Sequence, residues 1–338
     1  MNFTKEFNTN EIDCYINHAA GNGRTMAENK AALTRIKIIP KVLSDTSNPD
    51  TETRDFSGVA RHPFVIGPTA FHELACQGGE VETAKAASRT GTPYVVSSYA
   101  SADYKDIINE LDQKLYWQQT YLFNDRDVTE AIIRRAEENN ASGIVVTVGA
   151  GKRPATRTEY GWEHPKSLIS ILKSVYSSQY NEKDIQLPKD AASWGELKWL
   201  IKNCNLPVVL KGILDISDAR KAKRARVSGV VVTNHGGRQL EDTVNSLEML
   251  NEIKKGIGNK MDLYYGDGIE CGLDAIKAIA LGAKRIYLGK PILWKLNEGG
   301  AIALERYLNE LIDDTKEKMI LAGCGTLEEL QELKVMGV

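Results

Sequence analysis

Val230-Val231-Val232-Thr233-Asn234-His235-Gly236-Gly237-Arg238-Gln239-Leu240 holds both a buried strand and the chemistry placed at its end. Three valines and a threonine are all β-branched, without the apolar–polar alternation of a strand that has one face in water. The run then breaks into a polar cluster around two glycines. An imidazole stands there, with a guanidinium three residues later. Glycines let a ligand come close to the backbone. A base that titrates near neutrality beside a permanent cation suits proton removal from an anionic substrate. The blander alternative is a turn whose histidine only hydrogen-bonds its neighbours.

Seven similar runs lie on either side. They are Phe64-Val65-Ile66, Tyr94-Val95-Val96, Trp117 to Tyr121, Ile144-Val145-Val146, Val208-Val209-Leu210, Leu263-Tyr264-Tyr265 and Ile286-Tyr287-Leu288. Helical patterns separate them at Val81–Ala87, Val128–Glu138, Asp218–Arg226, Ser246–Lys255 and Leu273–Leu281. Eight strand-then-helix repeats predict an α/β fold, a single closed (β/α)8 TIM barrel forming one domain over residues 1–338. Residues 1–60 are expected to form a mainly helical extension, with Thr25-Met26-Ala27-Glu28-Asn29 opening one segment. Residues 150–206, after the fourth strand, are too long for one crossover and read as a loop excursion or lid over the active face. Ala301–Thr315 and Leu327–Val338 read as closing helices.

The chain has 338 residues, 42% of them hydrophobic, and a net charge of -2. That balance gives no general attraction to nucleic acid or acidic membranes. No apolar run approaches the ~20 residues that span a bilayer. Met1-Asn2-Phe3-Thr4-Lys5-Glu6 lacks the apolar centre of a secretion signal. Cys14, Cys76, Cys204, Cys271 and Cys324 are scattered, without metal-like spacing, so a reducing cytoplasm is the expected compartment.

In such a barrel the site lies at the carboxyl ends of the strands. The ends carry Gly67-Pro68-Thr69-Ala70, Ser97-Ser98-Tyr99, Gln119 and Tyr121, Thr147, Lys211-Gly212, Thr233-Asn234-His235, Gly266-Asp267-Gly268 and Gly289-Lys290-Pro291. Lys211 by itself reads equally well as a snorkelling surface lysine. Together, hydroxyls, an amide, a lysine and glycine-rich late ends suit a flat heterocycle with a phosphate tail.

Asn234-His235-Gly236-Gly237-Arg238-Gln239-Leu240, with Gly67–Ala70, Val209–Gly212 and Ala280-Leu281-Gly282-Ala283, resembles the FMN-dependent α-hydroxy acid oxidases and dehydrogenases. The resemblance implies FMN as cofactor, a small carboxylate substrate and oxidation of a 2-hydroxy acid to the 2-oxo acid. It implies that Pro68, Thr69, Ala70, Ser97, Gln119 and Thr147 hold the ring and ribityl portions. Lys211 would face the N1/O2 edge of the flavin, and Thr233, Asp267, Gly268, Gly289 and Lys290 would complete the cofactor site. His235 would be the general base. Tyr15 and Arg238 would bind the substrate carboxylate, Tyr121 the substrate oxygen, and Tyr99 would shape the pocket. Arg157 would serve as a second substrate arginine only if its loop shifts. A homotetramer is implied too.

The chain departs from the family pattern at four places. Gly149 stands where an acid usually partners the histidine. Gly266 precedes Asp267 where the pattern reads Asp-Gly-Gly. Glu270 replaces a phosphate-binding arginine, and Lys290 replaces another. These departures leave open a weakly FMN-binding or non-catalytic barrel acting as a binding partner, or a flavin-dependent isomerase. They also lead to the expectation that Gly149→Asp would raise turnover and that Glu270→Arg would tighten FMN.

Overall fold

The computed structural model describes residues 13, 15–112, 115–150 and 192–337. Arg157 and residues 151–191 of the expected excursion lie outside them. Helix α1 (Arg24–Arg35) is followed by β1 (Lys37–Ile38) and the hairpin β2 (Thr53–Asp55) and β3 (Gly58–Ala60). The next strands are β4 (Phe64–Ile66), β5 (Tyr94–Val96), β6 (Tyr116–Thr120), β7 (Ile144–Thr147), β8 (Val208–Lys211), β9 (Gly229–Val232), β10 (Asp262–Tyr265) and β11 (Arg285–Leu288). All eight pair in parallel and close into a barrel. Helices α2 (Gly79–Thr90), α3 (Tyr104–Asn109), α4 (Arg126–Glu138), α5 (Trp194–Lys202), α6 (Ile216–Arg224), α7 (Ser246–Ile257) and α8 (Gly272–Ala280) follow the strands. The long α9 (Lys290–Ala322) breaks at Gly299 and Gly300, and α10 (Leu327–Gln331) and β12 (Val335–Met336) end the chain.

The two-residue period of a strand explains why the runs are apolar throughout. One residue of each strand, namely Val65, Val95, Trp117, Val145, Val209, Val231, Tyr264 and Tyr287, joins a single cluster inside the barrel. Their neighbours, such as Phe64, Ile66, Val230 and Val232, pack outward in the main core with the helices. Both faces are buried, so both are mainly apolar, and buried exceptions such as Gln118 and Arg285 are hydrogen-bonded. Below, Phe56 of the β2–β3 turn lies against Trp117 with ring centroids 4.7 Å apart. Asp55 and Arg285 form an ion pair at 2.6 Å with both side chains 0% exposed. Burial pushes the Asp55 carboxyl up, but the Arg285 hydrogen bond and charge outweigh it and hold it below the usual range. Among the described residues these contacts plug the amino-terminal end of the barrel interior.

Three expectations are corrected. After α1, the described residues up to Ala60 form no helix: β1 pairs antiparallel with β12, and β2 with β3. For the same reason Leu327–Val338 is helical only as far as Gln331, because its end is drawn into that two-stranded pairing. The third barrel strand stops at Thr120. The Tyr121 carbonyl is taken by the Thr120 and Thr129 hydroxyls, at 3.1 and 3.5 Å, instead of a neighbouring strand.

Candidate active site

Continuing each strand two residues past its inward-facing core residue gives the next interior layer, at the mouth. That layer is Gly67, Ser97, Gln119, Thr147, Lys211, Thr233, Gly266 and Gly289. In barrel order the three glycines come from the adjacent strands β10, β11 and β4. One flank of the mouth is therefore bare backbone. A Cβ on Gly289 would meet nothing nearer than Thr69 Cγ2 at 4.0 Å, whereas one on Gly67 would press on Leu288 O at 3.0 Å. The other flank is polar and fixed. Gln119 Oε1 accepts from the Ser98 amide at 2.9 Å, and its Nε2 donates to Thr147 Oγ1 at 3.1 Å. Ser97 Oγ accepts from the Tyr99 amide. Thr69 Oγ1 lies 2.6 Å from His72 Nε2, and the other ring nitrogen lies 2.7 Å from Thr83 Oγ1, which pins Pro68-Thr69-Ala70 from below.

His235 follows Thr233 in a left-handed conformation, φ 63°, with Gly236 and Gly237 at 69° and 73°. Only glycine adopts this freely, so the histidine is held there by its surroundings. Asn234 is locked to Asn29 of α1 by reciprocal amide bonds of 2.7 and 2.8 Å and accepts from the Gly237 amide. Arg238 reaches back to the amino-terminal segment. Its Nη1 donates to the carbonyls of Tyr15 and Ile16 at 2.9 and 3.2 Å, and its guanidinium lies 5.3 Å from the Tyr15 ring. The Tyr15 hydroxyl donates to Ala70 O at 2.9 Å. Tyr15, Arg238 and the Ala70 turn thus form one corner. Aromatic contacts run on from it through Phe71, Tyr99, Tyr121 and Phe123, with centroids 5.4 to 6.3 Å apart.

The mouth is cationic. Burial, and then the charges of Lys211 and Arg238, hold the His235 imidazole well below its usual value, so the ring is neutral at pH 7. Burial pushes Lys211 down to about 8, against a smaller opposing effect of Asp267. Burial together with Arg238 and Lys30 pushes Lys290 down to about 8. Among the described residues the Lys211 ammonium makes no hydrogen bond, and Lys290 has only the weak Met26 thioether acceptor.

The structure revises three readings. Asp267 is not a carboxylate free for a ligand. One residue past an inward glycine, its carboxylate is occupied by four protein donors: Thr233 Oγ1, the Asn234 and Gly236 amides, and Ser246 Oγ. Glu270 pairs with Lys30 of α1 at 2.6 Å and is not an uncompensated charge. Gly149 is not a vacant place for an acid, because a Cβ there would lie 2.7 Å from Gly212 Cα. Asn29, Lys30 and Ser246 were not picked out by sequence reasoning. Asn29 and Lys30 lie far along the chain from the rim motifs they serve, and no local pattern marks them.

Three enclosed cations beside a bare glycine flank fit a ligand that is flat, phosphorylated and accompanied by a carboxylate. The donor set therefore fits FMN: Gly289 and Lys290 would hold its phosphate, and Gln119, Thr147 and Lys211 would hold its ring. Fold and site define a barrel flavoprotein of the oxidoreductase class. The chain belongs to the FMN-dependent dehydrogenase family, whose model matches residues 5–336. It is 35% identical to 2-hydroxyacid oxidase 2 of Rattus norvegicus over 321 residues, 94% of this chain and 91% of that one. It is 32% identical to L-lactate oxidase of Nostoc sp. over 334 residues, covering 94% and 91%. The structure of mandelate oxidase with benzoyl-formic acid superposes with a TM-score of 0.88 at 30% identity, covering 98% of this chain and 96% of that one.

Proposed function

We propose that this chain oxidises 2-hydroxy acids bearing an apolar side chain, with His235 as base, Arg238 and Tyr15 as carboxylate anchor, and Lys211 as the cation at the cofactor ring. FMN-dependent oxidation of 2-hydroxy acids is the activity to which family and site point together. The observation that carries the assignment of roles is the convergence of a neutral imidazole with Lys211 and Arg238 at one mouth. Converting a 2-hydroxy acid to the 2-oxo acid removes two electrons and two protons. Bound FMN supplies the acceptor for the electron pair. Arg238 binds and orients the carboxylate, which fixes the carbon to be oxidised. His235 takes a proton at a ring nitrogen, and Lys211 and Arg238 draw negative charge toward the mouth. Tyr121 would meet the substrate oxygen, and the adjacent Tyr99 and Tyr121 rings favour an apolar side chain over a bare substrate.

The test is anaerobic addition of glycolate, L-lactate and L-mandelate to the FMN-loaded protein. The yellow absorbance bleaches, fastest with the bulkier acids. Protein that binds FMN but is bleached by none of a broad 2-hydroxy acid panel would overturn the assignment in favour of a binding protein or an isomerase. We also place the protein in the cytoplasm as a homo-oligomer, a tetramer. Free thiols at Cys76, Cys204, Cys271 and Cys324 and exposed Ile302 and Leu321 support this.

Two predictions concern the cofactor. Lys211 and Lys290 must be protonated to attract the phosphate and ring, so FMN affinity is highest near pH 7, where both ammoniums and the doubly ionised phosphate are present. It weakens above about pH 8, by up to roughly tenfold per pH unit for each lysine that must regain a proton. Glu270→Gln releases Lys30 toward the same anion. A half-exposed pair is worth at most about 1 kcal/mol, so the FMN dissociation constant, read by flavin fluorescence, falls about two- to fivefold. No change would show that the pair stands clear of the phosphate.

A further inference from the structure

Asp267 follows Gly266 just past the end of β10, beside the Thr233–Gly237 turn that follows β9. There it is 2% exposed. Its carboxylate accepts from Thr233 Oγ1 at 2.7 Å, the Asn234 amide at 2.8 Å, the Gly236 amide at 2.7 Å and Ser246 Oγ at 2.6 Å. Those two amides bracket His235. The His235 amide donates to Thr233 Oγ1 at 3.0 Å, and the proton of that hydroxyl goes to Asp267. The backbone donors on both sides of the base therefore end on one carboxylate, directly or through Thr233. They end there while His235, Gly236 and Gly237 are all left-handed, a turn with its amides gathered on one side that a bound anion stabilises. No acid serves the ring from position 149, where Gly149 packs on Gly212.

We propose that Asp267 is a positioning residue for the oxidation. It holds the left-handed turn that presents the imidazole, and so does through the backbone what a carboxylate partner would do on the ring. The one-residue displacement of this acid along the strand end and the glycine at 149 are then two halves of one rearrangement. The proposal rests on His235 acting as the base. It assigns Asp267 no contact with FMN. The uncharged amide of Asp267→Asn keeps the shape but not the charge, and places an NH2 group against one of the donors.

The experiment uses FMN-loaded protein and L-mandelate, with L-lactate as a second probe. It reads the limiting anaerobic bleaching rate, the substrate concentration at half-maximal rate and the FMN dissociation constant. Asp267→Asn lowers the limiting rate by about 10- to 100-fold, while the two binding constants stay within about threefold. In the His235→Ala background the same substitution changes the residual rate by less than about twofold, because the group it positions is gone. Equal losses in both backgrounds, or a loss restored by saturating FMN, would overturn the proposal. If Asp267→Asn does not fold, Ser246→Ala removes a single donor outside the turn. It then lowers the limiting rate by about three- to tenfold at unchanged binding, and an unaltered rate refutes the idea. If His235→Ala leaves the rate intact, the base assignment itself fails. If His235→Ala abolishes bleaching while Asp267→Asn does nothing, only the positioning role fails.

Discussion

His235→Ala leaves FMN bound and lowers the limiting rate of anaerobic bleaching by about 100- to 10,000-fold, the usual contribution of a positioned base. The loss is large because nothing nearby among the described residues substitutes for the imidazole. Lys211 and Arg238 face the same mouth as cations, and Asp267 is fully engaged by four donors. FMN binding survives because the groups that would hold it, such as Gln119, Thr147 and Lys290, take their positions from other strand ends. The pH profile carries the same signature. Burial and two cations hold the imidazole well below its usual value, so it stays unprotonated through pH 6.5. For the free enzyme kcat/KM is accordingly flat between pH 7.5 and 6.5 and declines only at lower pH, as protonation removes the base. A decline centred at pH 6.5 or above, or an alanine variant bleached at the wild-type rate, would contradict the role.

Gly149→Asp, which the family pattern suggests as a repair, instead disables the protein. A side chain at 149 meets backbone, not a movable side chain: Cβ would stand 2.7 Å from Gly212 Cα and 3.0 Å from Gly212 O. A Cβ at Gly212, which has a φ of 114°, would in turn lie 2.5 Å from Gly149 N. The amides of Val148 and Gly149 both donate to the Lys211 carbonyl, at 2.9 and 3.2 Å, so parting these strand ends moves Lys211. Overpacking of this kind costs about 1–3 kcal/mol, which lowers Tm by about 1–5 °C in a domain of this size. Bleaching slows by at least about tenfold, since misplacing a charged group by an ångström costs that much or more. A faster enzyme with an unchanged Tm would mean that the glycine pair is dispensable.

The barrel was legible because short strands buried on both faces are mainly apolar without alternation, as in Val230-Val231-Val232. Gln119 and Lys211 were legible as rim residues because they lie two positions beyond interior residues, so the strand period carries them to the mouth. Asp267 was legible only as displaced. Which donors would meet it depended on a turn from the neighbouring strand and on Ser246, at the start of α7. The Lys30–Glu270 pair and the Asn29–Asn234 lock were invisible, because α1 reaches the rim only by packing across it. The strand pairing of β1 with β12 was hidden for the same reason: two-residue strands have no periodicity to read.

By itself the order of residues determined the closed parallel barrel, the mouth as the site, and the company of imidazole, ammonium and guanidinium there. Strand period and burial fix those locally. Only the folded chain decided that residue 149 has no room for a side chain, that Glu270 is neutralised and that Asp267 serves the His235 turn. Each of these depends on backbone segments that approach in space from distant parts of the chain, and alternation along one strand carries no information about how closely its neighbours come.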